Sequence, residues 1–198
     1  MNSPYSIQIG RPRFTVPFLR IFSYNDHMME KKFLLFSDTH GRNAVVRFVL
    51  QEFGPFDGAV FCGDGEGLEN ELMSMPGCPA ELFMAAGNCD YYTTLREDAV
   101  FPLGKHKVFL THGHKYALRR NLSTLASFAE KNGCDLCFFG HTHLPCDETV
   151  NGVRLINPGS LGLPRQEPAF PTFVILTLKE DGTVLPELKK LRGEVKNL

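Results

Sequence analysis

The chain has 198 residues, 43% of them hydrophobic, with 21 basic and 22 acidic side chains and a net charge of −1. That length and apolar fraction suit one domain with a full core. The near-neutral balance argues against broad attraction to nucleic acid or anionic lipid, so any anion binding has to be local to a site. Six cysteines, Cys62, Cys78, Cys89, Cys134, Cys137 and Cys146, lie mostly in or beside apolar strand-like runs with no secretory signal ahead of them. Free thiols in a cytoplasmic setting are expected.

Residues 1–28 read as an N-terminal extension, or as the result of a start assigned too early at a chain whose Met28 and Met29 precede the first strong strand. The apolar stretch Phe14 to Phe22 is interrupted by Pro17 and Arg20 and is far too short to span a membrane. Arg11, Arg13 and Arg20 with no acid before Asp26 faintly resemble a targeting peptide but lack its amphipathic pattern. A single domain is expected over residues 29–198.

Phe33 to Phe36 is a continuous apolar run ending at Ser37-Asp38, the pattern of a strand buried on both faces. Asn43 is placed to cap a helix whose Val45, Val46, Val49, Leu50 and Phe53 follow helical spacing, with Gly54-Pro55 as its stop. A second strand over Gly58 to Cys62 ends at Gly63-Asp64, a helix over Leu68 to Met75 follows, and a third strand over Glu81 to Ala86 ends at Gly87-Asn88. This alternation predicts parallel strands joined by right-handed crossovers. Lys107 to Thr111 reads as a strand delivering His112. A helix from Leu118 to Asn132 presents Leu118, Leu122, Leu125, Phe128 and Ala129, and a strand over Leu136 to Gly140 delivers His141. Asn151-Gly152 and Asp181-Gly182 are type I′ hairpin signals between strands near 146–150, 153–157, 171–178 and 183–190, which predict a second, largely antiparallel sheet. The expected architecture is α/β of mixed type, a four-layer αββα sandwich of two mixed sheets flanked by helices.

Five segments each end a predicted strand on metal-binding residue types: Asp38-Thr39-His40, Gly63-Asp64, Gly87-Asn88, His112-Gly113-His114 and Gly140-His141-Thr142-His143. Imidazoles mixed with carboxylates suit manganese, iron, zinc or nickel better than an all-oxygen calcium or magnesium cage, and manganese is the expected ion. Asp64 can bridge two ions, because a carboxylate offers two oxygens. Two divalent ions, two aspartates and a bridging hydroxide leave about one net positive charge, which favours an anionic phosphoester over a neutral ester. Taken singly, Asp38 reads as a helix cap and Gly63-Asp64 or Gly87-Asn88 as turns. Cys134-x-x-Cys137 with His141 and His143 has the wrong spacing for a zinc knuckle, and Gly63 to Gly67 lacks the Lys and Ser/Thr of a nucleotide-cradling loop.

At these motifs, and at the Asn157-Pro158-Gly159-Ser160 turn that follows them, the chain resembles the calcineurin-like metallophosphoesterase superfamily, specifically its small single-domain phosphodiesterase branch, from about Phe33 to Arg165. The resemblance implies one ion on Asp38, His40, Asp64 and His143 and a second on Asp64, Asn88, His112 and His141. It also implies hydrolysis of a small phosphodiester by in-line attack of the bridging hydroxide. Many superfamily members carry a histidine after Gly-Asn; here Cys89-Asp90 follows, as in small members of the branch, which leaves the leaving-group acid unassigned. Cys89, Asp90, His114 and Arg42 are second-tier candidates for phosphate contact, proton supply or orientation. A phosphomonoesterase on the same centre and a non-catalytic protein-binding scaffold of the same fold are the competing readings. No membrane partner and no nucleic-acid surface is expected, and the late apolar strands are candidates for pairing chains into a homo-oligomer.

Overall fold

Apolar alternation in the strands decides how the layers stack. In the computed structural model, which describes residues 30–118 and 121–193, strand β1 (Lys31–Phe36) points Phe33 and Leu35 one way and Leu34 and Phe36 the other. Both faces are buried, as the run without polar interruption predicts. The predicted extension over residues 1–28 lies outside the described residues.

Sheet one is ordered β10-β9-β1-β2-β3, from β2 (Gly58–Phe61), β3 (Glu81–Met84), β9 (Thr172–Leu178) and β10 (Val184–Lys190). β1, β2 and β3 run parallel, and β9 and β10 add antiparallel. Helices α1 (Asn43–Phe53) and α2 (Leu68–Leu72) cover its outer face through Leu34, Phe36, Val45, Val46, Val49, Phe61 and Leu68. Sheet two is ordered β4-β5-β6-β8-β7, from β4 (Asp98–Leu103), β5 (His106–Thr111), β6 (Leu136–Phe138), β7 (Pro145–Val150) and β8 (Val153–Pro158). Helix α3 (Ser123–Lys131) packs Leu125, Ala126 and Ala129 against Phe109, Cys137 and Leu155 on the outer face of that sheet. Between the sheets lies a core of Phe33, Leu35, Val60, Val108, Leu110, Leu136, Phe138, Ile156, Val174 and Leu176. The four αββα layers are those expected from the sequence.

Several local expectations are corrected. β4 is an edge strand that the sequence reading passed over, because Pro102 interrupts it; an edge position tolerates the missing N–H. The second sheet is half parallel rather than largely antiparallel: β5, β6 and β8 run parallel, while the β9–β10 hairpin joins sheet one. Asn151 and Gly152 have the two positive φ angles of a type I′ turn, but at Asp181-Gly182 only Gly182 does, in a longer loop closed by Lys179 N–H donating to Thr183 O at 2.9 Å. Helix α3 begins at Ser123 instead of Leu118, and Phe128 is exposed while Ala126 takes the buried face. Helix α2 stops at Leu72, short of Met75. Asn43 begins α1 without a capping bond, and its Oδ1 is buried without a partner. All six cysteines are free, as expected, and Cys137 lies in the core under α3. Among the described residues, no helix is long and apolar enough to cross a membrane.

Far from the strand ends that carry the motifs, His106 ties the sheets together. Its Nδ1 lies 2.6 Å from Asp135 Oδ2 and its Nε2 2.5 Å from Gly182 O, both acceptors, so the ring satisfies both only as an imidazolium. Burial lowers its pKa, but the Gly182 carbonyl and the Asp135 carboxylate outweigh that and raise it; Asp135 is lowered in turn, His106 outweighing its own burial. A raised histidine contributes stability that is complete below its unfolded value near ~6.5 and is lost as pH rises through the folded value, whereas the Asp135 contribution is lost on the acid side. Replacing His106 with Ala is therefore expected to lower Tm by about 2–4 °C near pH 6, with the difference shrinking as pH rises toward about 9. Paired thermal melts across that range check it; a difference that grows with pH contradicts the assignment.

Candidate metal centre

Every predicted ligand sits in a loop that leaves the carboxyl end of a parallel strand, and the loops of both sheets meet. Asp38 N–H donates to Gly63 O at 2.9 Å and His40 N–H to Asp64 O at 3.0 Å, which locks the first two loops of sheet one. Gly140 N–H donates to His112 O at 3.1 Å within sheet two. The seam is closed by His141 N–H donating to Asp38 Oδ2 at 3.2 Å and by His112 Nδ1 donating to Cys62 O at 2.8 Å. Gly87 and Gly140 are required by close approach: a Cβ on Gly87 would overlap the Asp64 backbone N and Oδ1, and one on Gly140 would overlap Ser37 Oγ.

Three sets of donor atoms converge within 4.8 Å: Asp38, His40 and His143; Asp38, Asp64 and His112; and His40, Asp64 and Cys89. Asp38 and His112 are fully buried and Asp64 and His143 nearly so. Around them the histidine tautomers are set by acceptors. His40 Nδ1 is 2.8 Å from Glu66 Oε1, His143 Nδ1 is 2.5 Å from Leu163 O and His112 Nδ1 is on Cys62 O, so in each neutral ring Nε2 carries the lone pair and points inward. Two such lone pairs, His40 Nε2 and His143 Nε2, face each other at 3.4 Å. His143 Nε2 is also 3.1 Å from Asp38 Oδ1, and that oxygen is buried with no hydrogen-bond donor. His112 Nε2 lies 3.2 Å from Asp64 Oδ2, out of hydrogen-bond alignment and likewise unpartnered. Lone pair against lone pair, beside an unpaired buried carboxylate oxygen, is unfavourable unless a cation stands between them. The donor set fits divalent metal.

The charges respond accordingly. Burial raises the Asp64 carboxyl, but His112 and the Cys89 N–H, which donates to Asp64 Oδ1 at 2.8 Å, outweigh it and hold it well below the usual carboxylate range. His112 is lowered by burial and raised by more from Asp64 and Asp38. Burial, reinforced by His112, lowers His141 and His114. Cys89 is pushed up to about 11 by burial and the Asp64 charge, so its thiol is protonated at neutral pH and is a weak proton donor.

The backbone itself is strained here. Asp38, His40, Asp64, Glu66, His141 and His143 all have positive φ, between 46° and 66°. Non-glycine residues held there cost about 1–3 kcal/mol each and persist only where the surroundings enforce them. Asp90 is one enforcer. Its two carboxylate oxygens accept four backbone N–H groups: Asp64 at 2.9 Å and Gly87 at 2.8 Å on Oδ2, Gly65 at 2.8 Å and Glu66 at 2.7 Å on Oδ1. The residue expected as an orienter thus orients the loops rather than a ligand side chain. Ser160 is another: its Oγ donates to Asp38 O at 2.8 Å and accepts from Leu163 N–H at 2.7 Å, which places the Leu163 carbonyl under His143.

The other predicted residues are less tightly joined. Asn88 is exposed, its Nδ2 donating to Cys89 Sγ at 3.3 Å. The His141 ring lies 5.2 Å from that of His112 between centroids and belongs to none of the three convergent sets. His114 is 3.8 Å from Glu97 Oε1 through Nε2, and its Nδ1 is buried without a partner. Arg42 is exposed at the start of α1. Glu66, which orients His40, was missed, although its place inside Gly63 to Gly67 was a usable signal; the carbonyls of Cys62 and Leu163 carry no side-chain signal at all. A cavity of about 970 Å3 between Lys31, Phe83, Pro102 and Leu178 holds none of the candidate ligands.

Residues 32–181 match the calcineurin-like phosphoesterase superfamily domain, and the chain belongs to that family. It is 29% identical over 166 residues to a probable metallophosphoesterase of Bacillus subtilis, spanning 83% of this chain and 95% of that protein. A segment of 63 residues is 40% identical to the phosphodiesterase YfcE of Escherichia coli, covering 32% of this chain and 30% of that one. Among solved structures, a predicted phosphoesterase from Streptococcus pneumoniae superposes with a TM-score of 0.63 at 24% identity, over 83% of this chain and 99% of that one. Vacuolar Protein Sorting 29 from Cryptosporidium parvum superposes with a TM-score of 0.64 at 18% identity, over 82% and 98%. Both likenesses are of fold alone.

Replacing Asp90 with Ala leaves four amide N–H groups without their acceptor. A loss of about 2–3 kcal/mol in stability is expected, with lower metal content after purification in manganese. Denaturant unfolding and elemental analysis of the variant check this; an unchanged metal content would show that the loop clamp does not control the centre.

Proposed function

We propose that this chain is a phosphodiesterase working with two divalent transition-metal ions, manganese being the first choice. Ion one would be held by Asp38, His40, Asp64 and His143, and ion two by Asp64, Asn88, His112 and His141. The observation that carries the reading is the inward convergence of the His40, His143 and His112 Nε2 atoms on the buried oxygens of Asp38 and Asp64. When bound, the ions supply Lewis-acid activation of water and charge neutralisation on the phosphate.

The chain's own residues then divide the remaining work. Asp64 offers Oδ2 to the cluster while the Cys89 amide fixes its Oδ1, so its orientation is set before any ligand arrives. His114 stands beside the imidazoles of His112 and His141, at 5.7 and 6.3 Å between ring centroids, which puts its ring near a phosphate held there. Arg42, exposed on the loop after His40, is placed to meet an incoming anion. In the hydrolysis, a water oxygen bonds phosphorus in line with the departing ester oxygen, that P–O bond breaks, and the leaving oxygen takes up a proton. A thiol such as that of Cys89 is a poor general acid for that proton, so esters with good leaving groups should react fastest. The similarity to proteins named phosphodiesterase or metallophosphoesterase supports the choice of substrate class.

Hydrolysis of bis-p-nitrophenyl phosphate with added manganese is expected, faster than that of p-nitrophenyl phosphate. Chelator should abolish it, and Asp64→Asn or His112→Ala should lower it by about a hundredfold or more. Full activity in a metal-free preparation would sink the proposal, and a faster monoester rate would transfer it to the phosphomonoesterase reading. The fold shared with Vacuolar Protein Sorting 29 supports a scaffold as the second reading. Elemental analysis separates the two: the enzyme should carry two ions per chain, whereas a scaffold has no need of them.

A further inference from the structure

A second cavity, about 380 Å3, opens directly beside the candidate centre, between the start of α2 and the loop after β3. Its inner wall is Cys89, whose sulfur lies within 4.8 Å of the converging His40 and Asp64 atoms, so an occupant of the cavity is within one ester linkage of the metal cluster. Its outer wall is Tyr91 and Tyr92, the latter fully exposed at 103% of its reference area and the former at 81%. Two adjacent exposed aromatic rings beside a candidate active centre offer a surface on which a flat ring can stack.

The polar groups of the cavity narrow the class of occupant. Asp90 spends both oxygens on four backbone amides, and Glu66 Oε1 is committed to His40. Besides the second oxygen of Glu66 and the two tyrosine hydroxyls, Glu69 and Asn70 remain. Glu69 lines the cavity; its Oε2 is buried without a partner, so Oε1 is the oxygen left to accept from an occupant. Asn70 offers both a donor and an acceptor, the combination that reads a base edge. Three carboxylates around the cavity disfavour a second phosphate or any other anionic group there. A volume of that size takes a ring system with a sugar, and the free groups call for a neutral ligand with an aromatic face, hydroxyl donors and an amide-like edge.

We propose that this cavity binds a nucleoside carried as one of the two ester groups of the phosphodiester, stacked on Tyr91 and Tyr92 and hydrogen-bonded by Glu69 and Asn70. The assignment rests on the phosphodiesterase reading above and adds its substrate class. Stacking on tyrosine tolerates any base, so selectivity for nucleoside over simple alkyl is expected to exceed selectivity among bases.

Two esters with the same leaving group test it: thymidine 5′-(p-nitrophenyl phosphate) and methyl p-nitrophenyl phosphate, each assayed with the manganese-loaded protein. The ratio of their kcat/KM values is expected to be about tenfold in favour of the nucleoside. Tyr92→Ala and Glu69→Gln should each bring the ratio down toward one, whereas Tyr92→Phe, which keeps the ring, should preserve it. A wild-type ratio near one, or a ratio that the Ala and Gln variants leave intact, overturns the inference while leaving phosphodiesterase activity standing. If neither ester is cleaved, the phosphodiesterase reading falls, and calorimetric titration with thymidine decides the cavity alone: binding that is lost in Tyr92→Ala upholds it, and no binding overturns it.

Discussion

One carboxylate oxygen governs this structure. Asp38 Oδ1 is sealed from solvent at the seam of the two sheets, 3.1 Å from a histidine nitrogen that carries a lone pair, and no donor reaches it. A buried carboxylate oxygen left without a partner is costly for a fold to hold, and the neighbouring Asp64 carboxylate compounds the cost. The arrangement is intelligible only as half of an interaction, the other half being positive charge shared with His40 and His143. The tautomers follow from the same need: each of three imidazoles has its Nδ1 engaged by an acceptor, which leaves the Nε2 side available to a cation.

Holding those groups together requires loops in conformations that they would not choose. Six non-glycine residues at positive φ surround the centre, and their strain is sustained by backbone bonds between loops and by Asp90, which gathers the amides of Asp64, Gly65, Glu66 and Gly87 onto one carboxylate. The Gly-Asn-Cys-Asp segment therefore does two jobs. Asn88 faces outward as a candidate ligand, and two residues later Asp90 fixes the loops that aim Asp64. Cys89 stands between them with its amide on Asp64 Oδ1, so its backbone matters to the centre even though its thiol is a poor acid.

Much of this was legible in the sequence, for identifiable reasons. Buried parallel strands advertise themselves as unbroken apolar runs, and a ligand type immediately after each run marks the strand end at which sites collect, so Asp38, Asp64 and His112 could be placed without coordinates. Edge strands advertise less: β4, with Pro102 and a partly exposed face, looks like a loop until β5 is seen beside it. Hairpin signals located the turns but not the sheet that each hairpin joins, because that depends on which open edge the returning chain meets; β9 paired with β1 rather than with β8. Acceptors such as the Cys62 and Leu163 carbonyls are invisible in sequence, since every residue has one. The cavity walled by Tyr91 and Tyr92 was equally silent, because exposed tyrosines become informative only when their neighbour is known.

The seam has a further consequence for how the centre is controlled. Sheet one contributes the oxygen donors Asp38, Asp64 and Asn88 together with His40, while His112, His141 and His143 all come from sheet two. Among the described residues no strand ladder joins the sheets; their relative position is set by side-chain packing in the shared core, including the stack of Phe83 on Phe101 at 3.7 Å between centroids, and by single hydrogen bonds across the seam such as His141 N–H to Asp38 and His106 to Gly182 O. A shift of the sheets by about 1 Å would separate oxygen from nitrogen donors without breaking any strand pairing, and catalytic geometry tolerates little more than that. The intersheet core is thus part of the site's geometry as well as of its stability. A core substitution that only loosens packing should degrade metal retention before it unfolds the chain, because the donors come from both sheets and only a few hydrogen bonds cross the seam, while each sheet keeps its own ladders.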